Sequence, residues 1–372
     1  MAGNNSSALS TLQKTILLSG IVAIINFFLS ACSIKPISPY SEASQPLVLV
    51  PVSHAAVQDK RGRFREIFCA VLEERRETLP DYRSCDNALT RVGNEPEGSG
   101  QPVHLGSSER ALVAVIVPGV GWNCFAKWLD TPHTAGDHVR EFGFDKQGLK
   151  IDDWSSTAGN AQLIRDQIIN LWPETTQPNL VLIGYSKGAP DILNAVVYYT
   201  EIRNRIAAII SVAGAIGGSP LANDATPSQL ELMSHWPGAE CSLGDGGAIE
   251  SLRPATRMNW LAENPLPHDF PYYSLVAYPN PERISSILKF SYNKLSKVDA
   301  RNDGQLLFYD QVIPGSGLVG FVNADHWALV VPIARTHPII GSMFVDQNHY
   351  PREALLEALL RFVEEDISIP IQ

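Results

Sequence analysis

The stretch LVLIGYSKGAPDILNAVVYY, Leu180 to Tyr199, decides how the rest of the chain is read. It begins with a continuous apolar run, Leu180 to Tyr185, of the kind that a strand buried on both faces requires. From Ala189 to Tyr199 the apolar residues recur at helical spacing instead. Between the two patterns lies Gly184-Tyr185-Ser186-Lys187-Gly188, a GxSxG sequence. A strand that turns directly into a helix leaves little room beside the turn, which accounts for glycine on both sides. The residue at the tip, Ser186, is then presented with its Oγ exposed beside a helix N-terminus, where negative charge is favoured.

Working outward, the same alternation recurs. Ala111 to Gly119 (ALVAVIVPG), Ile206 to Val212 and Tyr272 to Tyr278 read as buried strands, and Leu306 to Ile313 and Leu318 to Val322 as further strand candidates. Asn160 to Trp172 and Arg352 to Glu365 carry amphipathic helical patterns. Strands alternating with helices predict an α/β fold with a mainly parallel sheet flanked by helices. The interval of residues 214–271 breaks this rhythm. Segments of that length between two strands are usually functional, and a lid or cap over the site is expected there.

A serine hydroxyl becomes a nucleophile when a base takes its proton and an acid orients that base. Of the nine histidines, His54, His104, His133 and His138 precede Ser186, against the serine–acid–histidine order that goes with this turn. His235 and His268 fall in the long insertion, and His337 and His349 lack a strand before them. His326, in GLVGFVNADHWALVVP, follows a strand and is the expected base. Two acids compete in VDARNDGQLLF: Asp303, beside Gly304 in a turn that can aim a carboxylate inward, and Asp299 in reserve. Asp325 adjoins His326 and is expected to point away from it. An oxyanion needs two backbone N–H donors. Lys187, directly after the serine, supplies one, and its ammonium is expected in solvent. The other comes from Pro118-Gly119-Val120-Gly121-Trp122, with Val120 the first choice and Trp122 the second.

On these residues the chain resembles the α/β-hydrolase superfamily and, within it, bacterial secreted lipases and esterases. The turn GYSKG, the order Ser186, Asp303, His326 and the Asn302-Asp303-Gly304 turn carry the resemblance. So does Gly217 to Asp224, GGSPLAND, which is similar to the HRGSPVAD loop of those lipases. Two departures stand out: Pro118-Gly119 replaces the lipase His-Gly, and Tyr185 stands where many lipases carry histidine. The resemblance implies a serine hydrolase that cleaves carboxylic esters, with lipid-like acyl esters favoured, through an acyl-enzyme and without metal or organic cofactor. The same machinery serves an acyltransferase or a thioesterase. A non-catalytic envelope scaffold on a hydrolase fold is the reading from another class.

At the N-terminus, Thr15 to Leu29 carries no charge, is mostly apolar and follows Lys14. It is short for a membrane span, which takes roughly 20 residues, and suits an export signal. Leu29-Ser30-Ala31-Cys32 resembles the lipobox of bacterial lipoprotein signal peptides, an uncleaved anchor being the alternative. That resemblance implies cleavage before Cys32, its lipidation, and attachment to the bacterial cell envelope; Ser33 favours the outer membrane in Gram-negative cells. The expected organisation is a signal peptide at 1–31, a tether at 32–60, a helical segment at 61–110 packed on the core, and the hydrolase domain at 111–372. The remaining four cysteines allow three pairings in an exported chain. Cys69–Cys85, close in sequence, is favoured, and Cys124–Cys241 follows by elimination.

Composition narrows the partners. Among 372 residues 45% are apolar and 18% charged, an ordinary globular balance, and the net charge of −10 disfavours nucleic acid. A small-molecule or lipid ester substrate and a membrane reached through the anchor are expected. Oligomeric state is not legible.

Overall fold

In the computed structural model, strands β1 (Gln58–Asp59), β2 (Val113–Val117), β3 (Asp145–Gly148), β4 (Leu180–Tyr185), β5 (Ile206–Val212), β6 (Tyr272–Ala277) and β7 (Gly317–Val322) form one sheet in the order β1-β7-β6-β5-β4-β2-β3. Every neighbouring pair is parallel. The structure describes residues 56–122, 124, 134–173, 177–225 and 244–368. The expected signal peptide, lipidated Cys32, Cys241, His54, His133 and His235 lie outside these residues.

Strand β4 shows why the central run is apolar throughout. Side chains alternate between faces. Val181, Ile183 and Tyr185 enter one core with Phe64, Phe68, Leu355 and Leu359, while Leu180 and Leu182 enter the other with Ile164, Ile168 and Ile192. The first core is closed by helices Arg61–Glu74 and Arg352–Asp366, the second by Thr157–Leu171 and Gly188–Tyr198. The edge strands are different. In β3, Asp-Lys-Gln-Gly has no apolar residue to bury, and β1 is only two residues long. Short, polar edges resist pairing with other chains.

Three expectations about elements are corrected. Gln58 and Asp59 already pair with Gly317 and Leu318, so the tether ends before residue 58 rather than at 60. Leu306 to Ile313 is not a strand: Phe308–Gln311 is a 3₁₀ turn. There the Gln311 side chain accepts from the Ala277 N–H at 2.7 Å and donates to the Ala277 carbonyl at 3.1 Å, occupying the strand edge itself. Within 61–110, the Arg61–Glu74 helix is joined by only one short helix, Cys85–Ala88, among stretches without regular structure. Cys69 and Cys85 are disulfide-bonded, with Cα atoms 5.2 Å apart, and close this segment onto itself. Cys124 is also disulfide-bonded.

Charged hydrogen bonds tie Asp81 and His138 to the C-terminal part of the described chain. Asp81 accepts from Arg335 Nε at 2.8 Å, Arg352 Nη1 at 3.2 Å and His349 Nδ1 at 2.8 Å. Fully buried Glu357 bonds Arg361 Nε at 2.8 Å and His138 Nε2 at 2.7 Å. His138 therefore has its partner on the helix Arg352–Asp366 and not at Ser186.

Candidate active site

The turn after β4 is steric in origin. A Cβ on Gly184 would lie 2.4 Å from Ala189 Cα, and one on Gly188 would lie 2.0 Å from the Val117 carbonyl oxygen. Only glycine lets the outgoing helix pass so close to β2 and β4. Ser186 takes φ = +54°, a left-handed value that costs a non-glycine residue energy and recurs at functional sites. Its backbone is held from three sides: Ser186 N–H donates to the Val212 carbonyl at 3.2 Å, and its own carbonyl accepts from Ala215 at 2.9 Å and Ala189 at 3.3 Å.

The structure brings Ser186, His326 and Asp303 together. Ser186 Oγ lies 2.9 Å from His326 Nε2, and His326 Nδ1 lies 2.7 Å from Asp303 Oδ2. Asp303 is fully buried. Its other oxygen, Oδ1, accepts from the N–H groups of Gln305 at 2.8 Å and Leu306 at 2.7 Å, which fixes the carboxylate's direction. The backbones are tied as well, because His326 N–H donates to the Asp303 carbonyl at 3.0 Å. A hydroxyl bonded to an imidazole, itself bonded to a buried carboxylate, has a proton acceptor in place and a counter-charge for the imidazolium.

Asp299 does not join this series. It forms an ion pair with Arg301 at 2.6 Å, which removes it from the reserve role. Asp325 accepts from the N–H groups of Ser285 at 2.8 Å, Trp327 at 3.1 Å and Ala328 at 2.8 Å, so it shapes the histidine's loop and does not touch the ring. Burial, relieved only in part by the Ser285 and Ala328 hydrogen bonds and reinforced by the Asp303 charge, pushes its pKa above the usual carboxylate value.

Among the described residues neither the Val120 nor the Lys187 amide donates a hydrogen bond, whereas Trp122 N–H is directed at the Gly119 carbonyl at 3.4 Å. That distinguishes the two candidates in the loop. Gly119 packs directly on the serine: a Cβ there would stand 2.7 Å from Ser186 Cβ.

The expectation for the Lys187 ammonium is corrected. The side chain is buried, with Nζ 2.7 Å from Asp191 Oδ1, and Asn160 Nδ2 donates to Asp191 Oδ2 at 2.9 Å. Helical geometry causes this, since residues four apart share a face and that face is turned inward here. Burial raises the Asp191 pKa, with the Lys187 charge acting against it. Buried Arg257 adds a second cation, which burial lowers to about 10 and Asp191 partly supports. The spacing Lys187-x-x-x-Asp191 was the available signal for this pair. Among the described residues no group of three His, Cys, Asp or Glu side chains is placed to hold a metal ion.

A parallel sheet in this order, with a strand–turn–helix serine after β4 and a histidine after the last strand, defines the α/β-hydrolase class. A solved structure of the metagenomic carboxyl esterase MGS0156 is similar at 38% identity and a TM-score of 0.81, over 89% of this chain and 100% of that one. The chain belongs to that carboxyl esterase family and is an enzyme of the lipase and esterase class. The mature Bacillus licheniformis lipase BlEst2 matches at 18% identity and a TM-score of 0.50, over 65% of this chain and 95% of that one. The Staphylococcus hyicus lipase matches at 12% identity and 0.53, over 73% and 100%. These two likenesses show the fold alone. No family model matches the chain, and no curated protein matches it.

Proposed function

We propose that the protein hydrolyses carboxylic esters through an acyl-enzyme on Ser186. The hydrogen-bonded series from Asp303 through His326 to Ser186 carries this reading. His326 Nε2 takes the hydroxyl proton as Oγ attacks the ester carbonyl carbon. The tetrahedral oxyanion is held by the amides of Lys187 and Val120. Collapse breaks the bond to the leaving alcohol, which receives the proton from His326. Water, deprotonated by the same nitrogen, then attacks the acyl-enzyme, releases the acid and restores the serine. The relative's name, carboxyl esterase, supports this choice of substrate class.

The finer reading is a lipid-like acyl ester, met at the envelope by a chain tethered through lipidated Cys32, with the 214–271 insertion as a lid and Cys124–Cys241 as the second disulfide. An apolar insertion and a membrane tether both suit a hydrophobic substrate. A panel of p-nitrophenyl esters from acetate to palmitate, with and without an added alcohol acceptor, tests activity and class together. Free acid as the main product, lost in Ser186→Ala, supports hydrolysis. Transfer to the alcohol in preference to water makes the protein an acyltransferase. A thioester turned over faster than every ester makes it a thioesterase. No turnover of any of them by folded protein favours a scaffold.

A further inference from the structure

A cleft among the described residues lies outside the groups assigned to the ester chemistry. It has a volume of about 470 Å³ and is lined by Tyr82, Arg83, Ser84, Arg283, Asp346 and His349, among others. That volume suits a small organic ligand. Two guanidiniums share it. Arg83 is buried, donates from Nη1 to the Asn323 carbonyl at 2.9 Å and lies 5.4 Å from the Tyr350 ring centroid. Arg283 is half-buried on the 3₁₀ turn Pro281–Arg283. Among the described residues no carboxylate forms an ion pair with either.

The nearby acids are engaged elsewhere. Asp346 accepts from Ser286 N–H at 2.8 Å and Ser286 Oγ at 3.0 Å. Asp81 holds Arg335, Arg352 and His349, and Asp325 holds the Ser285, Trp327 and Ala328 amides. The His349 side chain remains 70% exposed, with Nδ1 on Asp81. Burial and then the Arg283 charge lower the Arg83 pKa, against the partial support of Asp81 and Asp325. Two like charges are thus held at one cavity without an ion-paired carboxylate among the described residues, and Asp346 in the lining offsets only one of them.

An arginine fork matches the oxygens of phosphate or carboxylate. A single carboxylate balances one guanidinium. A phosphate monoester, with roughly −1.5 to −2 charge at neutral pH, balances both. A cleft this large also leaves room for the organic group that bears the phosphate. We propose that this cleft binds a phosphomonoester between Arg83 and Arg283, apart from the Ser186 site. The phosphate belongs either to a soluble small molecule or to a lipid headgroup.

Glycerol 3-phosphate by titration calorimetry probes the first source. Phosphatidylcholine vesicles with and without phosphatidic acid, in a flotation assay, probe the second. The full chain is used in both, with ordinary ester turnover as a check on folding. The proposal predicts saturable binding in at least one arm, weakened about tenfold or more in Arg283→Gln, with p-nitrophenyl ester turnover unchanged. Arg283→Lys, which keeps the charge and loses the fork, falls between. Binding in the first arm identifies a soluble ligand, and binding only to phosphatidic acid vesicles identifies a lipid. Absence of binding in both arms, or Arg283→Gln binding as tightly as wild type, overturns the proposal.

Discussion

The Tyr185 hydroxyl donates to the His326 carbonyl oxygen at 2.8 Å, and the two rings pack with centroids 5.0 Å apart. The residue before the serine therefore positions the histidine, joining the end of β4 to the loop after β7. Tyr185→Phe removes one buried hydrogen bond and is expected to cost about 1 kcal/mol in denaturant unfolding, with a several-fold loss of kcat. Tyr185→Ala also removes the ring and is expected to cost roughly 3–5 kcal/mol. Wild-type values for both properties in Tyr185→Phe would show that the contact positions nothing.

Gly119 touches the serine from the opposite loop. The added Cβ of Gly119→Ala meets Ser186 Cβ at 2.7 Å and Oγ at 3.2 Å. Displacing a reacting atom by a fraction of an ångström to one ångström can cost about a hundredfold in rate. The variant is expected to lose kcat/KM on that order while its thermal midpoint moves by a few degrees at most. An active Gly119→Ala enzyme contradicts the assigned packing.

The Lys187–Asp191 pair predicts a non-additive cycle. Asp191→Ala strands a buried ammonium beside buried Arg257, and breaking a buried pair costs roughly 3–5 kcal/mol. Lys187→Met with Asp191→Leu removes both charges and is expected to cost clearly less than the single change. A double-variant loss equal to the sum of the Lys187→Met and Asp191→Leu losses, by urea unfolding, would show that the charges are not coupled.

Acid stability follows from Asp81. Burial raises its pKa, but the His349 hydrogen bond and the Arg335 and Arg352 charges outweigh that, and the net shift is downward. A carboxylate with a lowered folded-state pKa contributes stability that is fully present above its unfolded value, about 4, and is lost as pH falls through the folded value. Asp81→Asn is therefore expected to destabilise the protein at pH 7 and to flatten the fall in stability below pH ~4. The check is unfolding free energy against pH for both proteins, and parallel curves refute the assignment.

How much of this the sequence discloses depends on where burial leaves a mark. The centre of the sheet is legible because β4 and β5 are buried on both faces, so apolar runs and strand bounds coincide. The edges are not, because Asp145–Gly148 and Gln58–Asp59 have no pattern that separates a strand from a loop. The convergence of Ser186, His326 and Asp303 is legible from chain order and from the Asp-Gly turn, which favours Asp303 over Asp299. Cross-chain ties leave no local signal: nothing around Tyr185 indicates that its hydroxyl reaches a carbonyl 141 positions away. The run Leu306 to Ile313 misleads for a related reason, since a side chain within it, Gln311, takes the hydrogen bonds on Ala277 that a strand would have taken.

The most direct measurement is mass spectrometry of the protein after reaction with a fluorophosphonate. The account predicts one adduct, on the peptide carrying Ser186, formed quickly in wild type. It predicts no adduct in Ser186→Ala and labelling slowed by about 10³-fold or more in His326→Ala. Stoichiometric modification of a different residue, or Ser186 labelling at the wild-type rate without the imidazole, would contradict it.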